Sequence, residues 1–157
     1  MNKTAKGLLA ALLIVFTAAV GAMIASAHAA VGTTNTEGKL ETVLSRMSNN
    51  GLRITALSLA DVYGPDWVAA AMICPGEDEK SIKDNYGVDP AQLHLKGTKV
   101  PDDVNYIVMA NKEGGFTFEQ FDRAEVDVCS TPVQGGFDTR QLMPFIKQEN
   151  GGWAIAS

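Results

Sequence analysis

Three spacings of apolar residues divide this chain. Leu40, Val43, Leu44 and Met47 recur at helical spacing beside Lys39, Glu41, Ser45 and Arg46, which predicts an amphipathic helix. Thr34 and Glu37 supply the Thr-x-x-Glu arrangement that caps a helix start, and Asn49, Asn50 and Gly51 offer its end. A domain this small must bury a helix to fold, so the stripe reads as a core face. Residues 53–59 read as extended, although Leu57, Leu59 and Val62 also keep helical spacing, and residues 61–66 read as a turn marked by Gly64 and Pro65. Residues 67–74 begin with Trp67, end with Cys74 and are apolar throughout, the pattern of a strand buried on both faces. Their three alanines keep a buried helix as the alternative.

Pro75 and Gly76 break that run. Glu77, Asp78 and Glu79 sit where a helix carries its positive end, Ile82 and Tyr86 lie four apart, and Gly87 stops the pattern, so residues 77–86 read as a short helix. Residues 88–101 show little periodicity and read as a long surface connection.

The last third alternates with a period of two. Val104, Tyr106 and Val108 share a strand face, and residues 111–115 form a glycine-containing hairpin connection. Phe116 and Phe118 alternate with Thr117 and Glu119, one face buried and one wet. Ala124, Val126 and Val128 follow, with Glu125 and Asp127 pointing outward. Strict alternation then puts Cys129 on the Glu125 face, which calls for a bulge or a position at the sheet rim. Residues 141–147 and 153–156 make a final hairpin around Asn150 and Gly151, and Pro144 demotes its first arm to an edge or a bulge. The sum is α+β: one long N-terminal helix and one short helix on one face of a mostly antiparallel sheet of four to six strands, with one disulfide.

Residues 1–29 have the form of an export signal: Lys3 and Lys6, an apolar stretch over residues 8–24, and small residues around Ala27 and Ala29. Cleavage is expected after Ala29, with the cut after Ala27 as second choice. The competing reading is an uncleaved membrane anchor, since the stretch is nearly long enough to span a bilayer of about 30 Å. Either way residues 30–157 form a single extracytoplasmic domain, secreted or periplasmic in the cell envelope. Removing the leader takes away Lys3 and Lys6 and no acid, so the net charge moves from −5 to −7. That balance argues against nucleic acid and against unaided binding to anionic lipid, both of which select basic surfaces.

Cys74 and Cys129 are the only cysteines, and an exported chain meets an oxidising compartment, so they are expected to pair. Their spacing excludes a Cys-x-x-Cys redox motif. With the leader removed His94 is the only histidine, and neither a Ser-His-Asp arrangement nor a four-ligand zinc site is supported. Residues 109–120 place Met109 and Gln120 where a calcium loop needs carboxylates. Glu125 and Asp127, about 7 Å apart on one strand face, have a separation that suits acid–base work on a sugar, although alternating acids also serve as plain solubility. No cofactor or metal is expected. Among the aromatics Trp67, Trp153 and Tyr63 are the candidate interface residues, because aromatics at loop edges are enriched in interfaces.

The leader, the widely spaced cysteine pair, the apolar run ending at Gly76 and the acidic balance together resemble the small uncharacterised exported proteins of actinobacterial cell envelopes. The resemblance implies a periplasmic or secreted protein and carries over no functional residue. The expected function is a non-catalytic module that binds another envelope protein or an envelope ligand. The alternatives are an accessory subunit of a membrane complex, anchored by its uncleaved N-terminal helix, and a small hydrolase using Glu125 and Asp127.

Overall fold

The computed structural model describes residues 38–93, 95–131 and 135–156. The leader, Thr34, Glu37 and His94 lie outside the described residues. Helix α1, Lys39–Asn49, starts later than the Thr34 cap implied: its N-cap is Gly38, in the left-handed region with φ 79°, and carries no side-chain cap. Leu40 and Leu44 are buried, with Met47 packed against the same core. Strand β1, Ile54–Ser58, follows, and then the expected turn proves to be a short helix, α2, Leu59–Tyr63. Ser58 is the reason. Its Oγ accepts from the Asp61 amide at 3.1 Å and donates to Asp61 Oδ2 at 2.6 Å, an N-cap that the Gly-Pro signal obscured.

Strand β2, Trp67–Ile73, settles the helix-or-strand alternative for the apolar run. Helix α3, Glu79–Tyr86, is capped by Asp78 and closed by Gly87 at φ 68°. A single 3-10 turn, Pro90–Gln92, leads to β3, Val104–Asn111, and β4, Phe116–Asp122. The remaining strands are β5, Val126–Asp127; β6, Phe137–Asp138; β7, Leu142–Lys147; and β8, Trp153–Ile155.

These strands form two four-stranded sheets where one had been expected. The first runs β1-β7-β8-β5 and is antiparallel except for β5, which pairs parallel with β8; the second runs β4-β3-β2-β6 and is antiparallel throughout. One core cluster joins α1 and α2 to both sheets, with Leu44, Tyr63, Phe145 and Trp153 meeting Met72, Ile107 and Phe121. A second cluster lies on the opposite face of the second sheet, where Ile82 of α3 meets Ile73, Tyr106 and Phe118. The helices therefore do not share one face. Val88, Leu93 and Val100 are buried in that second cluster, so the segment read as a surface connection is a cover for the core.

A sheet covered on both faces accounts for two of the patterns in the chain. It explains why β2 is apolar without alternation. It also removes the wet face expected on β4, because Thr117 and Glu119 are as buried as Phe118. Pro144 does not lie at an edge, since β7 sits between β1 and β8. The N–H and C=O of one residue point the same way in an antiparallel ladder. The Pro144 carbonyl accepts from Ala156, just past the end of β8, so its missing N–H falls where the ladder has run out.

The segment from β5 to Cys129 is tied to the second sheet twice. Cys74 follows β2 and Cys129 follows β5, with their Cα atoms 5.7 Å apart in a disulfide that spans 55 residues of sequence. Because β5 has only two residues, strand alternation does not reach Cys129, whose amide instead donates to Asp127 Oδ1 at 2.9 Å. The second tie is Asn105 of β3, fully buried. Its Nδ2 donates to the Val126 carbonyl at 3.0 Å and its Oδ1 accepts from the Val128 amide at 2.8 Å.

At Gly152 the backbones come closer than any side chain allows. A Cβ there would lie 2.1 Å from the Ala124 carbonyl oxygen, beside the Trp153 amide bond to Glu125 that starts the parallel β5–β8 pairing. Gly152→Ala is expected to cost about 1–3 kcal/mol by forced overpacking, read as a lower urea midpoint with an unchanged slope.

Candidate functional site

Two surfaces and one buried pair stand out once the fold is built. The first surface is the outer face of β1 and β7. Ile54 lies directly opposite Ile146, Ala56 opposite Pro144 and Ser58 opposite Leu142. Ile54 is 66 % exposed, Leu142 64 % and Ile146 40 %, with Leu52 beside them at 44 %. None of these positions is charged, in a chain where one residue in five is. Strand β1 is also an outer strand of its sheet. Because Pro144 turns its carbonyl toward Ala156, the backbone groups of Ala56 point away from β7 and out of the sheet edge. Edges of this kind in proteins are usually shielded by a charge, a proline or a bulge, and residues 54–58 carry none of these.

The second surface is an open groove of about 740 Å³ between α1 and the β5–β8 side of the first sheet. Glu41 and Glu125 line it, together with Ser48, Lys147 and Trp153. The Glu41 carboxyl is shifted upward, first by burial and then by Glu125 and Asp122 nearby. Ser48 Oγ accepts from Lys147 Nζ at 2.9 Å and from Trp153 Nε1 at 3.1 Å. Both lone pairs of the hydroxyl are used, so Ser48 ties α1 to the β7–β8 hairpin.

The buried pair is Tyr63 and Glu119. The Tyr63 hydroxyl donates to Glu119 Oε2, while Oε1 has no hydrogen-bond partner among the described residues. Burial pushes the Glu119 carboxyl up to about 7, against the opposing pull of Tyr63 and of the Leu40 and Gly38 amides at the start of α1. Burial and the adjacent carboxyl push the Tyr63 phenol up as well, so it stays protonated and keeps donating.

Against this geometry the sequence-derived candidates divide. Cys74 and Cys129 are brought together as a disulfide. Tyr63 and Trp153, expected as interface residues, are only 7 % and 4 % exposed: both belong to the core, and Trp153 shows one edge to the groove. Trp67 is half-buried at the start of β2, with its carbonyl accepting from Thr139 Oγ1 at 2.6 Å. Seven residues of extended strand, roughly 23 Å, separate it from Cys74, so it does not pack over the disulfide. Glu125 and Asp127 sit in different settings. Asp127 is buried and held by Arg123 at 2.7 Å and by the Cys129 amide, whereas Glu125 is exposed and neighbours Glu41. Among the described residues no group of three or more His, Cys, Asp or Glu is placed to hold a metal ion, and no helix is long and apolar enough to cross a membrane.

Comparison of the chain with protein-family models, with curated proteins and with solved structures finds no match.

Proposed function

We propose that this chain is a non-catalytic module of the cell envelope, exported from the cytoplasm, that binds another envelope protein through the outer face of β1 and β7. The observation that carries the reading is the uncharged row Ile54, Ala56, Leu142, Pro144 and Ile146 lying uncovered on neighbouring strands. Exposed apolar rows on a folded domain mark contact surfaces more often than chance placement does. The buried state of Asp127 supports the same reading, because it withdraws one member of the carboxylate pair on which acid–base chemistry would have rested.

The test is affinity capture from the native envelope, comparing the wild-type protein with Ile54→Glu/Leu142→Glu. Both side chains are exposed, so the double variant is expected to keep the wild-type circular dichroism and melting temperature while capture of the partner falls at least tenfold. Equal capture by the two proteins removes this face from the function.

A further inference from the structure

The free edge of β1 offers a short, fixed set of main-chain groups. The Arg53 carbonyl accepts from the Lys147 amide at 2.8 Å, so the groups of Arg53, Thr55 and Leu57 point to β7 and those of Ile54, Ala56 and Ser58 point out of the sheet. Ser58 is buried, which closes the edge at that end. At the other end the Leu52 amide is taken by the Met47 carbonyl at 3.0 Å. What stays open is the N–H and C=O of Ile54 and of Ala56, exposed residues on an outer strand, with no pairing among the described residues. We infer that a second copy of this chain occupies this edge, its β1 running antiparallel to the first and related to it by a two-fold axis at Thr55.

The open groups select that axis. Facing residues in an antiparallel ladder exchange both of their bonds. With the axis at Thr55, Ile54 of each copy faces Ala56 of the other, and four bonds use every open group on the two edges. An axis at Ala56 would set Ile54 against the buried Ser58, and one at Ile54 would set Ala56 against Leu52, whose amide is already taken. The side chains agree with the backbone. The axis places the large Ile54 of one copy beside the small Ala56 of the other on the outer face, and brings the two Thr55 side chains opposite each other, a cross-strand pair that favours pairing. Residues 54–58 carry no charge, so two copies of an acidic chain meet there without like charges directly opposed. Arg53 faces Leu57 of the other copy, not a second arginine.

The contact is made by the edge of β1 and not by its outer face, so it stands apart from the function proposed for that face. It joins the two first sheets into one, with four strands from each copy, and covers an edge that otherwise has no charge, proline or bulge to guard it. One five-residue strand from each copy is a small contact beside the roughly 1,600 Å² of a standard interface, so the association is weak and reversible.

Cysteine cross-linking of the full chain, as the cell processes it, reads the register. Across the axis the two Thr55 Cα atoms lie about 4.5 Å apart, within the range a disulfide spans, whereas the two Ile54 Cα atoms lie about 8–9 Å apart, beyond it. Thr55→Cys is therefore expected to form a disulfide-linked dimer at least tenfold faster than Ile54→Cys, although Ile54 is the more exposed residue. Equal rates, or a faster Ile54→Cys, overturn the proposal. Sedimentation equilibrium tests it without a new cysteine: the wild-type protein is expected to be mostly dimeric at about 1 mM. In Ala56→Pro, which removes an amide that points away from β7, the dimer fraction is expected to fall at least fivefold. A wild-type protein that stays monomeric assigns the edge to a different chain and overturns the proposal, as does a dimer that Ala56→Pro leaves intact. Neither measurement involves capture of an envelope partner, so its outcome is separate from that of the test proposed for the outer face.

Discussion

Replacing both Cys74 and Cys129 with alanine is expected to lower the unfolding free energy by about 4 kcal/mol, because the disulfide closes a loop of about 56 residues in the unfolded chain. Small domains are stable by only about 5–15 kcal/mol, so the loss is a large share of the total. The bridge is well placed to have this effect. It joins the end of β2 in the second sheet to the residue pair beyond β5 in the first, and the whole of β3 and β4 lies in the loop between them. The measurement is urea unfolding of the oxidised protein against the double alanine variant, followed by tryptophan fluorescence. Trp153 in the core and Trp67 at the start of β2 report on both sheets. A midpoint shift of less than one-quarter of the wild-type value would mean that the reduced chain keeps much of its order when unfolded.

The disulfide was legible because it needed only two features of the sequence, a leader patterned like an export signal and an even number of cysteines. Strands β3 and β4 of the second sheet were legible for a similar reason, since long alternating runs admit few other structures, whereas the two-residue β6 gave no pattern. What the pattern could not supply was the number of layers. Phe116 and Phe118 alternate with Thr117 and Glu119, and this alternation is the same whether the second face meets water or another layer of the protein. Nothing local distinguishes the two cases, so the buried Tyr63–Glu119 pair had no signal in the sequence.

The outer face of β1 failed in the opposite way. Leu52, Ile54 and Ala56 alternate with Arg53 and Thr55, which marks the first three as the inward set. Leu57 then breaks the parity, and the core accepts Leu57 and leaves Ile54 in solvent. A strand with apolar residues on both parities has two registers available, and tertiary packing chooses between them. Helix α2 was hidden because the Gly64-Pro65 turn signal is real but marks where that helix stops, and Ser58, which starts it, lies six residues earlier.

Asn105→Ala is expected to cost about 3–5 kcal/mol. The side chain is fully buried, and its removal leaves the Val126 carbonyl and the Val128 amide without the partners they have in the native fold. Each unsatisfied buried backbone group costs about 1–3 kcal/mol, and the vacated volume adds to that. The combination of this variant with loss of the disulfide separates two physical accounts of the bridge. If the bridge acts by restricting the unfolded chain, it and Asn105 stabilise the protein through opposite states, and their effects add within about 0.5 kcal/mol. If instead the bridge holds residues 126–129 against β3 in the native state, breaking it already releases the Asn105 hydrogen bonds. Asn105→Ala would then cost little more in the variant without cysteines. We expect additivity, because Asn105, the Trp153 amide bond to Glu125 and the burial of Val126 and Val128 each fix this segment without the sulfur atoms. A double-mutant cycle in urea decides it: a coupling energy above about 1 kcal/mol would make the bridge a native-state clamp.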